Sequence, residues 1–299
     1  MSATTVETIP YEKLGRPIRG PEALTDDWRR FWHLTFNIAR TEWKLKFYGS
    51  VLGYFWQLLR PLLMFTVLYV FFTKVGHFGT GAAAAVGGPE HFYPAMLLGS
   101  IVLFTFFAEA TSGAVRSVID NEALVRKIQF PRMVIPLSTV LLAMFNLALN
   151  LIVVFIFAFA DGVRPMLSWL ELPVLIGMLA VFATGLAMLL SALYVYFRDV
   201  SPIWEVITQI LFYASPVIIP FDEVQQKLGP TLQHIYMVSP LATVFEQFRH
   251  AVIYHAAPRA SAALGGNLGL LEPIAIVLVT FAVGFVVFNR TAPYVAENL

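Results

Sequence analysis

Residues 134–160 read VIPLSTVLLAMFNLALNLIVVFIFAFA and carry no formal charge. An α-helix rises about 1.5 Å per residue, so roughly 20 apolar residues cross a hydrocarbon layer ~30 Å thick. This run is long enough to cross and to tilt. Five more apolar runs accompany it, at 55–73, 94–114, 172–196, 203–219 and 271–289. A soluble fold would have to bury all of them beneath a polar surface. Charged residues make up only 13% of the chain, against about 25% in a soluble domain. Apolar residues make up 58%, and the mean hydropathy is +0.71. There is too little polar surface to cover such a core. The expectation is an all-α integral membrane protein with six transmembrane helices.

Six crossings place both termini on one side, and the lysines and arginines choose the side. Of the 20, 15 fall in residues 1–60, the 115–133 loop, Arg198 and Arg290. The other five, Lys74, Arg164, Lys227, Arg249 and Arg259, fall opposite. Both termini are therefore expected in the cytoplasm. Residues 1–25 are polar and rich in proline and glycine, which reads as a flexible cytoplasmic arm. No apolar stretch follows Met1, so a cleaved signal peptide is not expected.

Residues 26–48 read as an amphipathic interface helix. Arg30, His33, Asn37, Arg40, Thr41 and Lys44 fall on one side of a helical wheel. Trp28, Phe31, Trp32, Ile38, Ala39 and Trp43 fall on the other, with Glu42 and Lys46 interrupting it. Such a helix suits a membrane interface; a surface helix of a soluble domain shows the same pattern. The six-span domain follows at 49–290, with a cytoplasmic segment at 116–132, a long external loop at 220–270 and a cytoplasmic tail at 291–299. Within the external loop, QHIYMVSPLATVFEQFRHAVIY suggests short helices, one starting at Pro240, that dip back into the outer face.

Catalytic chemistry finds little support. With no cysteine, disulfides, thiol nucleophiles and cysteine metal sites are excluded. No HExxH, GxSxG or phosphate-binding GxxxxGK[ST] pattern occurs, so this chain is not expected to hydrolyse ATP. The six histidines show no ligand spacing, and His91, His234, His250 and His255 read as external surface or loop residues. The basic residues follow membrane topology rather than a duplex-binding face, so nucleic acid is not an expected partner. Glu109, Glu205 and Glu272 lie toward span ends, which disfavours a deep proton relay. Trp56, Tyr69, Tyr93, Tyr194, Tyr196 and Tyr213 fall where aromatic belts form.

Three segments stand out. VIDNEALVRKIQFPRM, at 118–133, is a compact charged piece closed by a proline and tethered by spans at both ends. It can transmit force from a soluble partner, or simply turn a corner. YVYFRDVSPIWE, at 194–205, holds Arg198 and Asp199 between the fourth and fifth spans. The two residues fix the depth of the chain, contact a cytoplasmic partner or steady a gate. In LFYASPVIIPF, at 211–221, Pro216 and Pro220 break the fifth span beside Tyr213, where an outer gate or re-entrant turn can form.

Taken in order, LGYFWQLLRPLL (52–63), NEALVRKIQFPR (121–132), YFRDV (196–200), FYASPVIIP (212–220) and SPLATVFEQFRHAV (239–252) make the chain resemble the permease subunits of bacterial ATP-binding-cassette exporters of polysaccharides and teichoic acids. The resemblance covers roughly residues 28–290. It implies a homodimer in the bacterial inner membrane, joined to two nucleotide-binding ATPase subunits and moving a lipid-linked glycan. ATP and Mg would be bound by those partners, with no cofactor in this chain. By position it assigns Asn121, Glu122, Leu124, Arg126, Lys127 and Phe130 to ATPase coupling. Arg198, Asp199, Arg40, Lys44 and Lys46 fall at the cytoplasmic gate or interface, and Tyr213, Pro216 and Pro220 at the external gate. Arg40, Lys44 and Lys46 would attract a pyrophosphate headgroup. An exporter of a drug, haem or small lipid on the same architecture is the alternative. A membrane-embedded glycosyltransferase would need paired acids or metal ligands, and a secondary transporter would need inverted repeats and midplane charges.

Overall fold

The computed structural model describes residues 28–46, 48–49, 53, 55–72, 92–125, 130–218, 221, 229–255 and 257–292. The N-terminal arm, residues 293–299 of the tail, and Arg126, Lys127, Pro220 and His91 lie outside the described residues. Among the described residues there is helix and turn but no strand.

The described residues begin with α1 (Trp28–Lys46) and α2 (Phe55–Val70). A long α3 (Tyr93–Asp120) leads into a one-turn α4 (Glu122–Val125). Then come α5 (Val134–Ala160), α6 (Leu172–Tyr196) and α7 (Val200–Ala214). Three short helices, α8 (Pro230–Val238), α9 (Pro240–Phe248) and α10 (Ala260–Ala263), precede α11 (Leu271–Thr291). Prolines open α3, α6, α8 and α9 within their first two positions, where a missing N–H costs nothing.

Among the described residues, four helical stretches are long and apolar enough to cross a membrane: Tyr93–Asp120, Val134–Ala160, Leu167–Tyr196 and Asn267–Thr291. The apolar helices Phe55–Val70 and Val200–Ala214 are shorter. Sequence expected the fifth span to reach residue 219. The helix instead ends at Ala214, where Ser215 turns extended and residues 215–218 are buried as a turn. Pro216 thus follows the helix end rather than kinking its interior. The second span runs six residues past the expected 114, because Ala114, Val115, Ser117 and Val118 are all buried and the Ser117 hydroxyl donates to Ala114 O at 2.8 Å.

The central helix is α3. Of its most apolar 18 residues 72% are buried, against 17% for α11 at the periphery. α3 packs on α5 and α6, and α11 packs on α6. That last crossing is made by glycine: a Cβ at Gly284 would overlap the carbonyl oxygen of Gly185, and one at Gly185 would lie 2.7 Å from the Phe281 backbone. Small residues let helices approach this closely where no hydrophobic driving force separates protein from lipid.

α1 lies along α5 and buries a narrow strip, Phe31, Thr35 and Ala39, at helical spacing. Its apolar face is only partly used, since Trp28 and Trp32 stay 63% and 43% exposed. Tyr93 is not a belt residue: its ring is buried and its hydroxyl donates to Ile218 O at 3.3 Å.

Candidate functional site

The charged segment after α3 sits where two helix ends meet. Asn121 caps α3, its Nδ2 donating to Ser117 O at 3.0 Å, and α4 follows at once. Glu122 and Leu124 are half-buried on this turn. Phe130 is half-buried against an apolar cluster that includes Phe31, Val118, Val134, Val195 and Phe288. That cluster joins the ends of α3, α5, α6 and α11 into one corner. Arg132 is buried there, and its Nε and Nη1 meet no acceptor among the described residues. Burial lowers its pKa, yet a guanidinium remains charged. Arg198 and Asp199 are exposed in the turn before α7, and neither forms an ion pair among the described residues. Arg40, Lys44 and Lys46 are exposed on α1, and no hydrogen bond or ion pair joins Arg40 or Lys44 to the Arg198–Asp199 turn.

Sequence reasoning missed the ties between α3 and α7. Arg116 Nε donates to Ser201 Oγ at 3.1 Å, and Trp204 Nε1 donates to Thr111 Oγ1 at 3.1 Å. Motion at the Asp120 end of α3 is thereby linked to the start of α7. The partners lie 85 and 93 residues apart, and nothing local marks them.

A second polar cluster crosses four helices. Glu109 on α3 accepts from Gln57 Nε2 of α2 at 2.8 Å and from Asn146 Nδ2 of α5 at 2.7 Å. Trp43 Nε1 of α1 donates to Asn146 Oδ1 at 3.2 Å. Glu109 is therefore no isolated acid near a span end. α3 continues 11 residues beyond it, or about 16 Å at helical rise. Gln57 is the third residue of α2, so α3 projects past the level where α2 begins and carries α4 outward.

At the opposite end, Arg249 in the π-turn Arg249–Ile253 reaches the broken end of α7. Its Nη1 pairs with Glu246 at 3.2 Å, and its Nη2 donates to Pro216 O and, at 3.1 Å, to Val217 O. Pro216 is buried within this clasp. Tyr213 is 74% exposed and opens a cavity of about 430 Å³ with Leu68, Phe72, Ser215 and Tyr236. The three external-gate candidates thus separate: Tyr213 faces the cavity, Pro216 is clamped, and Pro220 is not among the described residues.

His250 is not a surface residue as expected but 4% exposed. Its Nδ1–H donates to Ala257 O at 2.7 Å, and its Nε2 accepts from Arg259 Nε at 3.1 Å. Burial, aided by the nearby His255 and Arg259, pushes its pKa below the usual value. His234 contacts Glu272 at 2.9 Å. Among the described residues no group of three His, Asp or Glu side chains is placed to hold a metal.

The exposed face of α7 is mixed. Ile203, Val206 and Ile210 share it with Glu205 and Gln209, while only Trp204 and Phe212 are buried. Hydrocarbon does not accept a glutamate beside a glutamine, so a face of this kind belongs against protein or water.

Three relatives are named O-antigen export system permease protein RfbA. One from Klebsiella pneumoniae is 27% identical over 267 residues, covering 88% of this chain and 93% of its own. A second from the same organism is 28% identical over 71% of this chain and 77% of its own. One from Myxococcus xanthus is 25% identical over 76% and 83%. The family profile described as ABC-2 type transporter matches residues 33–253, from within α1 to the π-turn after α9, and on that match the chain belongs to the ABC-2 type transporter family.

Proposed function

We propose that this chain is the membrane subunit of an ATP-driven exporter that carries a lipid-linked polysaccharide of O-antigen type across the bacterial inner membrane. The relatives are named for O-antigen export and align over most of both chains. The chain works as a homodimer with two ATPase subunits, which bind the ATP and Mg. α2 and α7 complete a set of six crossings, both termini are cytoplasmic, and α8–α10 form a re-entrant outer cap.

The observation that carries this reading is the mixed face of α7. A glycan has many hydroxyls that hydrocarbon rejects. Glu205 and Gln209 offer acceptors and donors between apolar walls. A second copy placed against α7 encloses a path with that lining. Arg40, Lys44 and Lys46 draw the anionic headgroup to the cytoplasmic interface. The ATPase docks on Asn121, Glu122, Leu124, Arg126, Lys127 and Phe130, with Arg198 and Asp199 alongside. Movement of α4 then reaches α7 through the Arg116–Ser201 and Trp204–Thr111 bonds. Tyr213, Pro216 and Pro220 form the outer gate.

The natural sequence has no cysteine, so single-cysteine variants report cleanly. In the complex reconstituted with its ATPase, Gln209→Cys should cross-link two copies and react with a water-soluble maleimide, and lipid-linked glycan should stimulate ATP hydrolysis. Labelling only by a lipid-soluble reagent, with no cross-link and no stimulation, would refute the proposal.

A further inference from the structure

A cavity of about 360 Å³ lies between α1, α5, α6 and α11, and it shares no residue with α2 or α7. Its walls include Trp28 and Trp32 of α1, Leu141 of α5, Ala180 and Thr184 of α6, and Phe285 of α11. Thr184 is its one polar wall residue, and its hydroxyl is spent on Ala180 O at 2.7 Å. Beyond it, only the indole N–H groups of Trp28 and Trp32 are polar, too few to hold water in a space of this size. An apolar cavity of ~150 Å³ already stays dry and admits apolar guests, and this one is larger.

Its surroundings identify the guest. On α11, Val283 and Val286 are exposed beside Phe285, and Arg290 is the first charge below them. In the orientation proposed above, on which this placement rests, the cavity opens into hydrocarbon just above the cytoplasmic interface. At its mouth stand the exposed indoles of Trp28 and Trp32, side chains that favour the headgroup boundary. Arg29 and Arg30 are exposed in the same first turn of α1.

We propose that this cavity holds one acyl chain of an anionic membrane phospholipid, whose phosphate headgroup lies against Arg29 and Arg30. The lipid fills the gap left where α1 leans on α5 and fixes the start of the interface helix to α6 and α11. The site is separate from the translocation path, and its test reads no transport.

The complex is purified and incubated with phosphatidylglycerol or phosphatidylcholine carrying a diazirine at the acyl terminus, then irradiated and mapped by peptide mass spectrometry. Phosphatidylglycerol should label peptides spanning 137–144 and 281–285 at least five-fold more than phosphatidylcholine. Ala180→Phe, which fills the cavity, should abolish that labelling, and the paired Arg29→Gln and Arg30→Gln variant should equalise the two lipids. Should Ala180→Phe not assemble, the wild-type map decides alone. Labelling spread over α2 and α7, equal labelling by both lipids in the natural protein, or displacement by a polyprenyl diphosphate would each overturn the assignment.

Discussion

Replacing Arg249 by methionine removes three contacts at once. The guanidinium and its partner Glu246 are 2% and 1% exposed, so water cannot take over from either. Methionine keeps most of the side-chain volume, so the loss is electrostatic rather than a cavity. Glu246 loses its guanidinium partner, and the carbonyls of Pro216 and Val217 lose their donor. Breaking one side of a buried pair costs about 3–5 kcal/mol, mostly from the charge left behind. At roughly 2–3 °C per kcal/mol for a chain of this size, the melting midpoint should fall by about 6–15 °C. Adding Glu246→Gln removes the charge that faced Arg249 and should recover more than half of the loss. Thermal unfolding in detergent, followed by tryptophan fluorescence, gives the whole double-mutant cycle. A drop below about 1 °C for Arg249→Met, or no recovery in the double variant, would refute the view that Arg249 clamps the end of α7.

Further outcomes follow from other contacts. Gly284→Ala must push α11 off α6 and should cost about 1–3 kcal/mol, while Gly177→Ala, with nothing within 4 Å of its Cβ, should be neutral in the same melt. Ser201→Ala removes the bond from Arg116; at ~1 kcal/mol, transport per ATP should fall roughly five-fold while basal hydrolysis persists. The neutral His250 ring is required because Arg259 donates to its Nε2. Its contribution to stability is therefore complete above the ordinary value of 6.5 and is lost as pH falls through its lowered folded-state pKa. A melt series from pH 7.5 to about 5 should show that loss, and His250→Gln should flatten it.

Several of these elements were legible in one dimension. The helices Val134–Ala160 and Leu172–Tyr196 end where sequence reading ended them, because transfer into hydrocarbon is decided residue by residue and charges or turns bound each run. The amphipathic α1 was also visible, since its pattern depends on neighbours a few residues away, whereas α7 ended five residues before the expected 219. The charged segment at 118–133 stood out in the sequence, but not the bonds that tie the end of α3 beside it to α7.

What the chain alone determined is its solvent: uncharged runs this long, on so little polar surface, require a bilayer and helices. Which side chains meet was decided by the tertiary structure. Glu109 finds Gln57 across 52 residues and Asn146 across 37, Arg249 finds Pro216 across 33, and Gly284 meets Gly185 on another helix. In apolar surroundings the hydrophobic pattern no longer marks an inner face, since lipid and protein interior are equally oily. Helix pairing then rests on close glycine contacts and a few polar bonds, and these become visible only once the helices stand side by side.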